Sequence, residues 1–327
     1  MRRPYRNLAV ALSVLLACAG TAADARGQKH DGGGNGNGGR AEARRDVRTV
    51  TIPVTLRLPE RAQQAEVSYL DDLQIFEDGE RQEILAVRGA GRSPLTLAVL
   101  IQDDLISSIS NEIKGIASFV RKLPPGSRVM VGYLSSGSLR VRQKFTNDLE
   151  RASQSLRIPL SSTAASPYNP FSLTRDAVKR FESLPVGRRA VLVLSDGIDL
   201  SRGLTNSSPA QSLDLQRLIN ESQRLGVAVY AMYAPSVSGG DALLVGNGQG
   251  SLQRLSDETG GHAFFQGTGA PVSLDQYLRE LDALLSRQFA LTYLSTHPDQ
   301  GFHKVRVVAN TGDAAEIFYP KGYTFKK

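Results

Sequence analysis

The sequence predicts an α/β fold: a doubly wound, mostly parallel central sheet with helices on both faces, joined to a small β unit built from the two flanks. Three observations predict it. Apolar runs of strand length alternate with segments of helical periodicity from Leu95 onward. The run Val191–Leu194 is continuously apolar, which is typical of a strand buried on both faces. Strand-like patterns return at both ends of the chain.

The N-terminal flank contains two segments with the pattern of paired strands. Residues Thr49 to Leu58 alternate apolar and β-branched side chains. Residues Leu73 to Val87 contain Asp78-Gly79, which is a hairpin turn signal. Because neither end of the chain alone could bury an apolar face, we expect the two flanks to pair with each other. The strands predicted in the C-terminal flank are Phe289–Leu294, Lys304–Val308 and Glu316–Tyr319.

Between the flanks, strands separated by helices predict βαβ units and a sheet that is covered on both faces. Apolar residues recur at helical spacing from Ile113 to Val120, and Pro124-Pro125-Gly126 ends that helix. The glycine-rich stretch Asp241–Ser251 is predicted to be a long mobile loop. The predicted strands are Leu95–Ile101, Arg128–Leu134, Leu139–Phe145, Ala190–Leu194, Val227–Tyr233 and His262–Phe265. The other predicted helices are Asp176–Phe181, Asp214–Leu225, Leu252–Thr259 and Leu274–Phe289.

The first residues of the chain have the pattern of a bacterial export signal. Three arginines precede the apolar run Leu8–Ala17, which is too short to span a bilayer. Ala23-Asp24-Ala25 follows with the small-x-small pattern of a cleavage site, which predicts a signal peptide at 1–25. Alternatively, residues 1–17 are a lipoprotein signal and Cys18, the only cysteine, is lipidated. Both interpretations predict a periplasmic or extracellular protein without a disulfide.

The chain of 327 residues divides further by composition. Glycine and asparagine dominate residues 26–46, which predicts a flexible tether without a core of its own. After it we predict an N-terminal β segment at 47–92, an α/β domain at 93–288 and a C-terminal β segment at 289–327. The net charge of +7 is moderate, and its densest arginine cluster has no aromatic neighbours, which argues against a nucleic-acid partner.

Five stretches between Val47 and Tyr323 match the segments of a known family in their order along the chain. These stretches are Phe76–Ile84, Leu123–Val129, Ala190–Asp199, Leu255–Gly261 and Lys321–Tyr323. Together they resemble the von Willebrand factor type A (VWA) domain family, in its bacterial secreted branch with flanking β elements. The resemblance implies a VWA or Rossmann-like fold, and a binding domain rather than an enzyme.

The resemblance also implies a metal-ion-dependent adhesion site at the carboxyl ends of the central strands. In the family, an Asp-x-Ser-x-Ser follows the first strand, a Thr comes from a middle loop, and an Asp follows the "VLLSDG" strand. Such oxygen ligands suit Mg²⁺ or Mn²⁺, and a carboxylate of a partner protein fills the open position. The ligands that the resemblance implies on this chain are Asp103, Ser107, Ser172 and Asp196.

The first loop departs from the family pattern in every register. Gln102 stands directly after the strand, where the family has Asp. A motif anchored on Asp103 has Leu105 at its middle Ser, and one anchored on Asp104 has Ile106 there, so a ligand is missing either way. We therefore predict a degenerate site, in which the aspartates cap loops or lie hydrated and the same surface binds partners without a metal; a site that still binds Mg²⁺ or Mn²⁺ is the alternative.

We predict that an unidentified protein of the cell envelope docks where three loops converge at these strand ends. The loops are Gln102–Ser108, Pro167–Leu173 and Asp196–Gly203. The predicted contact residues are Gln102, Asp104, Tyr168, Phe171 and Asp199. We expect the two aspartates to face solvent. The two aromatic residues either are exposed contacts or pack against the top of the sheet.

Catalysis has little support in the sequence. None of the four histidines stands near a nucleophile motif, and no glycine-rich phosphate loop lies between a strand and a helix. We therefore predict a non-enzymatic adhesion or scaffold module. Two alternatives stay open: a structural protein whose site is inactive, and a metal-dependent phosphoesterase. The phosphoesterase would use Asp103, Asp104, Asp196 and Asp199, but no Lys or Arg for the phosphate is signalled.

Overall fold

The computed structural model describes residues 47–57, 73–89, 93–203, 207–237, 242–269, 271, 273–309 and 316–325. The predicted export signal, the tether and Cys18 lie outside these residues. The strands are β1 (Arg48–Arg57), β2 (Gln74–Glu77), β3 (Glu80–Arg88), β4 (Thr96–Gln102), β5 (Arg128–Ser135), β6 (Ser138–Thr146), β7 (Arg189–Ser195), β8 (Ala228–Tyr233), β9 (Ala263–Phe264), β10 (Gln288–Ser295), β11 (Gly301–Val308), β12 (Glu316–Phe318) and β13 (Gly322–Phe325). The α-helices are α1 (Ile113–Arg121), α2 (Leu149–Gln154), α3 (Pro170–Val178), α4 (Leu213–Arg224), α5 (Ala242–Thr259) and α6 (Asp275–Ser286).

The central sheet has six strands in the order β6-β5-β4-β7-β8-β9, all parallel except the edge strand β6. Counted within the sheet, this is the order 3-2-1-4-5-6 of doubly wound folds, which bind ligands where the order reverses. The reversal lies between β4 and β7. Every residue of these two strands is buried, as their apolar sequences predict.

Helices cover both faces of the central sheet, and each face has its own apolar core. Helices α1 and α6 pack on one face through side chains such as Ile116 and Leu281. Helices α3, α4 and α5 pack on the other face, where Phe171, Leu218 and Leu255 are buried. The predicted doubly wound arrangement is thus confirmed. No helix within the described residues is long and apolar enough to cross a membrane.

Two helices near the strand ends begin earlier than the sequence predicts. The stretch predicted as a mobile loop, Asp241–Ser251, is helical from Ala242 onward and forms the first half of α5. Helix α3 begins at Pro170, where Asn169 caps it by accepting a hydrogen bond from the Ser172 backbone N–H. Both helices therefore reach the edge of the sheet where the candidate site lies.

The flanks form a second, antiparallel sheet of seven strands in the order β12-β1-β10-β3-β2-β11-β13. Strand β1 pairs with β10 and β2 pairs with β11, so the flanks pair as predicted, although the unit is larger than expected. Strands β12 and β13 lie at opposite edges of this sheet, yet only residues 319–321 separate them. Because so short a link spans about 14 Å at most, the sheet must curl into a half-barrel. We call it the rolled sheet.

Buried polar contacts fix the rolled sheet to the central sheet. The hydroxyl of Tyr230, on β8, lies 3.0 Å from the Thr55 hydroxyl and accepts a hydrogen bond of 3.3 Å from the Gln288 amide. All three side chains are almost completely excluded from solvent. The Tyr230 hydroxyl is therefore satisfied by side chains of the rolled sheet, which joins the two sheets through buried hydrogen bonds.

Candidate functional site

The candidate site lies at the carboxyl ends of β4 and β7. The Gln102 side chain is at its centre and makes hydrogen bonds to three other residues of the site. The Gln102 Oε1 accepts hydrogen bonds from the Ser195 hydroxyl at 2.5 Å and from the Asp196 backbone N–H at 3.3 Å. Its Nε2 donates to Asp104 Oδ1 at 2.8 Å. A neutral amide thus ties the two strand ends together at the position where the family resemblance implies an aspartate.

Asp103 forms an ion pair with Arg157, a residue that the sequence analysis did not identify. The Arg157 guanidinium donates two hydrogen bonds of 2.7 Å to the two carboxylate oxygens of Asp103, and the Leu160 backbone N–H donates a third. Arg157 also stacks on the Tyr133 ring, 4.0 Å from its centroid. Burial raises the pKa of Asp103, but the hydrogen bonds from Arg157, Ser135 and the Leu160 N–H, together with the Arg157 charge, outweigh it, and the net effect is a lowered pKa. Asp103 is therefore a buried, fully paired carboxylate.

Asp104 and Asp196 are buried acids whose surroundings favour the protonated form. Burial raises the pKa of Asp104, despite the hydrogen bond from Gln102. Burial, with the neighbouring Asp104 charge, raises the pKa of Asp196 to about 6, although the Ile198 backbone N–H donates to its Oδ1 at 3.0 Å. Low-dielectric surroundings disfavour the ionised forms, so the two carboxyl groups do not form an open anionic surface.

The raised pKa of Asp196 predicts a pH dependence of stability. Between pH 4 and 6 the folded protein holds a proton on Asp196 that the unfolded chain releases, so the free energy of unfolding falls as pH rises through this window. The slope should be about 1 kcal/mol per pH unit. Urea unfolding across this window should show the slope in the wild-type protein and a flatter profile in Asp196→Asn. If the wild-type protein and Asp196→Asn show the same dependence of unfolding free energy on pH, the pKa of Asp196 is not raised in the folded protein.

The hydroxyl residues of the implied metal site do not join this cluster. Ser107 is exposed at the start of a short 3₁₀ helix. Ser172 lies in the first turn of α3, where its hydroxyl donates to the Asn169 carbonyl at 3.2 Å. Leu105 is completely buried in the apolar core. With both oxygens of Asp103 already bonded to Arg157, the residues present do not fit the implied Mg²⁺ or Mn²⁺ site.

Four of the five predicted contact residues, Gln102, Asp104, Phe171 and Asp199, are buried, and the predicted solvent exposure of the two aspartates is wrong. Phe171 is only 2% exposed, because α3 turns it into the core beneath the sheet end. Asp104 is buried beside Gln102, as described above. Asp199 is also buried and accepts hydrogen bonds from the Ser201 backbone N–H and from the hydroxyl of Ser212, the N-cap of α4. These carboxylates organise loops instead of meeting a partner.

Exposed apolar side chains surround the buried cluster. Ile158 is 58% exposed, Leu160 is 60% exposed and Tyr168 is 57% exposed. Backbone hydrogen bonds tie Leu160 and Val237 to the cluster: the Leu160 N–H donates to Asp103, and the Val237 N–H donates to the Asp104 carbonyl at 2.8 Å. We call Ile158, Leu160, Tyr168 and Val237 the apolar rim. Of these four, sequence analysis singled out only Tyr168.

Comparisons with known proteins find likeness in structure alone. No protein-family model matches the chain, and no curated protein matches it in sequence. Among solved structures, the chain is similar to BatB from Bacteroides thetaiotaomicron at 14% identity, covering 59% of this chain and 97% of that one, with a TM-score of 0.42. It is also similar to an aerotolerance-related membrane protein from Bacteroides fragilis NCTC 9343 at 12% identity, covering 58% and 98%, with a TM-score of 0.40.

A further similar structure is the SpRpn10 VWA domain, at 12% identity, covering 57% of this chain and 95% of that one, with a TM-score of 0.40. The α/β part of this chain has a VWA- or Rossmann-like fold, because its strand order is that of doubly wound sheets, with one antiparallel edge strand. At such identities and TM-scores the likeness says nothing about binding or catalysis, which have to be argued from this chain's own residues.

Proposed function

We propose that this chain is a non-enzymatic protein-binding module that docks its partner on the strand-end face, without Mg²⁺ or Mn²⁺. The observation that supports it best is the Asp103–Arg157 pair. In a metal-dependent site a divalent cation would compensate the carboxylates and present an open coordination position. Here a guanidinium compensates Asp103 with two 2.7 Å hydrogen bonds, and it has no coordination position to offer a partner.

The surface chemistry of this face supports recognition through apolar contacts. The rim residues Ile158, Leu160 and Tyr168 are each more than half exposed, while the carboxyl groups of Asp103, Asp104 and Asp196 are buried and hydrogen-bonded. Exposed apolar residues that cluster on one face are typical of protein interaction sites, and tyrosine is enriched among the residues that dominate binding energy. A partner would gain affinity by covering the rim, and it would not need to supply a carboxylate.

The enzymatic alternative is weaker on this geometry. Of the four aspartates that a phosphoesterase would use, Asp103 and Asp199 are bonded to groups of their own chain. Arg157, the basic residue at the site, is engaged by Asp103 and would have to leave it to bind a phosphate. From the export-signal pattern of the sequence we also propose that the protein lies outside the cytoplasm. It is either released when the signal peptide at 1–25 is cleaved or anchored through a lipid on Cys18.

Site-specific photo-crosslinking tests the proposed docking face. A benzophenone amino acid replaces Tyr168 on the rim or, as a matched control, Val186, which is also 57% exposed but precedes β7 at the opposite end of the sheet. Irradiation of intact cells should give a discrete protein adduct from position 168 and at least about tenfold less from position 186. Equal yields at both positions would contradict the proposal, and no adduct at position 168 would favour a structural protein with an inactive site.

A further inference from the structure

A second group of titratable side chains lies in the rolled sheet, where the β2–β3 turn meets β11. Glu77 is fully buried there, and its Oε1 accepts hydrogen bonds from the Ser295 hydroxyl at 2.9 Å and the Tyr323 hydroxyl at 2.8 Å. Its other oxygen, Oε2, makes no hydrogen bond of good geometry within the described residues, although the buried Tyr293 hydroxyl is near enough to interact with Glu77. A buried carboxylate oxygen without a good hydrogen bond is costly, which points to a group that belongs there.

His303 presents a ring nitrogen to two carboxylates. Its Nε2 lies 2.9 Å from the Asp299 carbonyl, which can only accept, so this nitrogen carries a hydrogen. Its Nδ1 lies 2.8 Å from Asp78 Oδ2 and 3.6 Å from Glu77 Oε1. In a neutral ring Nδ1 has a lone pair, which two carboxylates would repel. Either a proton or a metal ion must therefore lie between these groups.

His297 points a second imidazole at the same carboxylate. Its Nδ1 lies 3.8 Å from Glu77 Oε1, and this buried nitrogen has no hydrogen-bond partner in the described part of the chain. The rings of His297 and His303 are 5.9 Å apart between centroids. A lone proton on His303 accounts for the contact with Asp78, but it leaves the His297 nitrogen and the Glu77 Oε2 without good hydrogen bonds.

We propose that Glu77, Asp78, His297 and His303 bind a divalent transition-metal ion of the Zn²⁺ class. Bond lengths of about 2.1 Å in a tetrahedral site place ligand atoms about 3.4 Å apart. Three of the separations among the ligand atoms, at 2.8, 3.6 and 3.8 Å, bracket that value. The ligand atoms of Glu77, Asp78 and His303 already lie within 4.8 Å of one another, and the His297 ring would turn toward them to complete the site. Two imidazoles with two carboxylates are a ligand set that suits Zn²⁺, whereas Mg²⁺ prefers oxygen ligands alone.

The surroundings of the four ligands agree with a metal site. The Asp299 carbonyl accepts from His303 Nε2, which orients the ring as second-shell carbonyls do for metal-bound histidines. The Arg48 guanidinium lies 3.6 Å from Glu77, and its one positive charge leaves the two carboxylates with a net negative charge. The exposed Glu80 carboxylate, 3.6 Å from His297 Nε2, marks the side from which an ion would enter.

The bound ion would join the two flanks of the chain. Glu77 ends β2 and Asp78 lies in the turn after it, while His297 follows β10 and His303 lies on β11. The ion would thus cross-link the N-terminal hairpin to the C-terminal strands on which it packs. Such a structural site stabilises the folded chain because the unfolded chain holds no preformed ligand cluster.

Zinc titration of the purified protein tests this site. The full chain, on a tag without histidine and freed of metal by a chelator, is titrated with ZnCl₂ by calorimetry and with Co²⁺ by visible absorption. We expect one equivalent of Zn²⁺ to bind and Co²⁺ to give the intense bands of a tetrahedral site. His297→Ala should weaken Zn²⁺ binding at least about tenfold, and His303→Ala should abolish it.

The variants are chosen so that misfolding cannot imitate the result. The His297 ring makes no hydrogen bond within the described residues, so His297→Ala should fold even if His303→Ala does not. His262→Ala is the matched control, because His262 packs against Phe264 and Phe318 away from the four ligands. A wild-type protein that binds no Zn²⁺, or a folded His297→Ala variant with unchanged affinity, would overturn the proposal.

Discussion

Replacing Arg157 by methionine is expected to lower the free energy of unfolding by about 3–5 kcal/mol. The change removes both 2.7 Å hydrogen bonds to Asp103 and leaves a buried carboxylate without its positive partner. Asp103 cannot turn to solvent, because the Leu160 N–H and the end of β4 hold it in place. Urea unfolding of both proteins at pH 7 measures the difference.

A surface pair provides the matched control for this prediction. Arg121 donates to Glu150 at 2.8 Å, but both side chains are about half exposed, so Arg121→Met should cost less than about 1 kcal/mol. The double variant Asp103→Asn with Arg157→Met should recover part of the lost stability, since it no longer buries a lone charge. A double variant as unstable as Arg157→Met alone would show that the buried charge is not the cause.

Gly248→Ala is expected to lower the free energy of unfolding by about 3 kcal/mol. Gly248 lies on α5, and a Cβ there would stand 2.1 Å from the Asp196 carbonyl oxygen. The contact is tight in both directions, because a Cβ on Gly197, whose φ is +70°, would meet the Gly248 carbonyl oxygen at 2.4 Å. Both contacts are with backbone atoms, so no side-chain rotation can relieve them. Helix α5 must therefore move away from the turn that follows β7.

Gly246→Ala is the control in the same helix. Gly246 is exposed and has nothing within 4 Å of its Cβ position, so alanine there should stabilise the protein by up to about 1 kcal/mol through helix propensity. Thermal and urea unfolding of the two variants give the comparison. If Gly248→Ala and Gly246→Ala change the free energy of unfolding in the same direction, the close approach of α5 to Asp196 is contradicted.

The central sheet could be predicted because its strands have a local signal. Strands β4 and β7 each contain a continuous apolar run, and Ser195-Asp196-Gly197 at the end of β7 marks the edge where ligands bind. The first half of α5 could not be predicted in this way. Its three glycines have poor helix propensity, and tertiary packing, such as the contact of Gly248 with Asp196, overrides it.

The partners of the site residues could not be predicted from sequence patterns. Arg157 is 54 positions from Asp103, in a loop with no periodicity, so nothing local signals their contact. Asp199 looks like a solvent-facing loop carboxylate until the fold brings Ser212 to it. Gln102 breaks the family motif in sequence, and only the structure gives it a role, as the amide that joins β4 to β7.

The most direct test of a metal-free docking face is the crosslinking yield from position 168, measured with and without divalent cations. Because Arg157 already compensates Asp103, the yield should be the same in EDTA as in millimolar Mg²⁺ or Mn²⁺. A yield that falls in EDTA to that of position 186, and that Mg²⁺ or Mn²⁺ restores while Zn²⁺ does not, would contradict this account. It would place a metal ion at the strand ends after all.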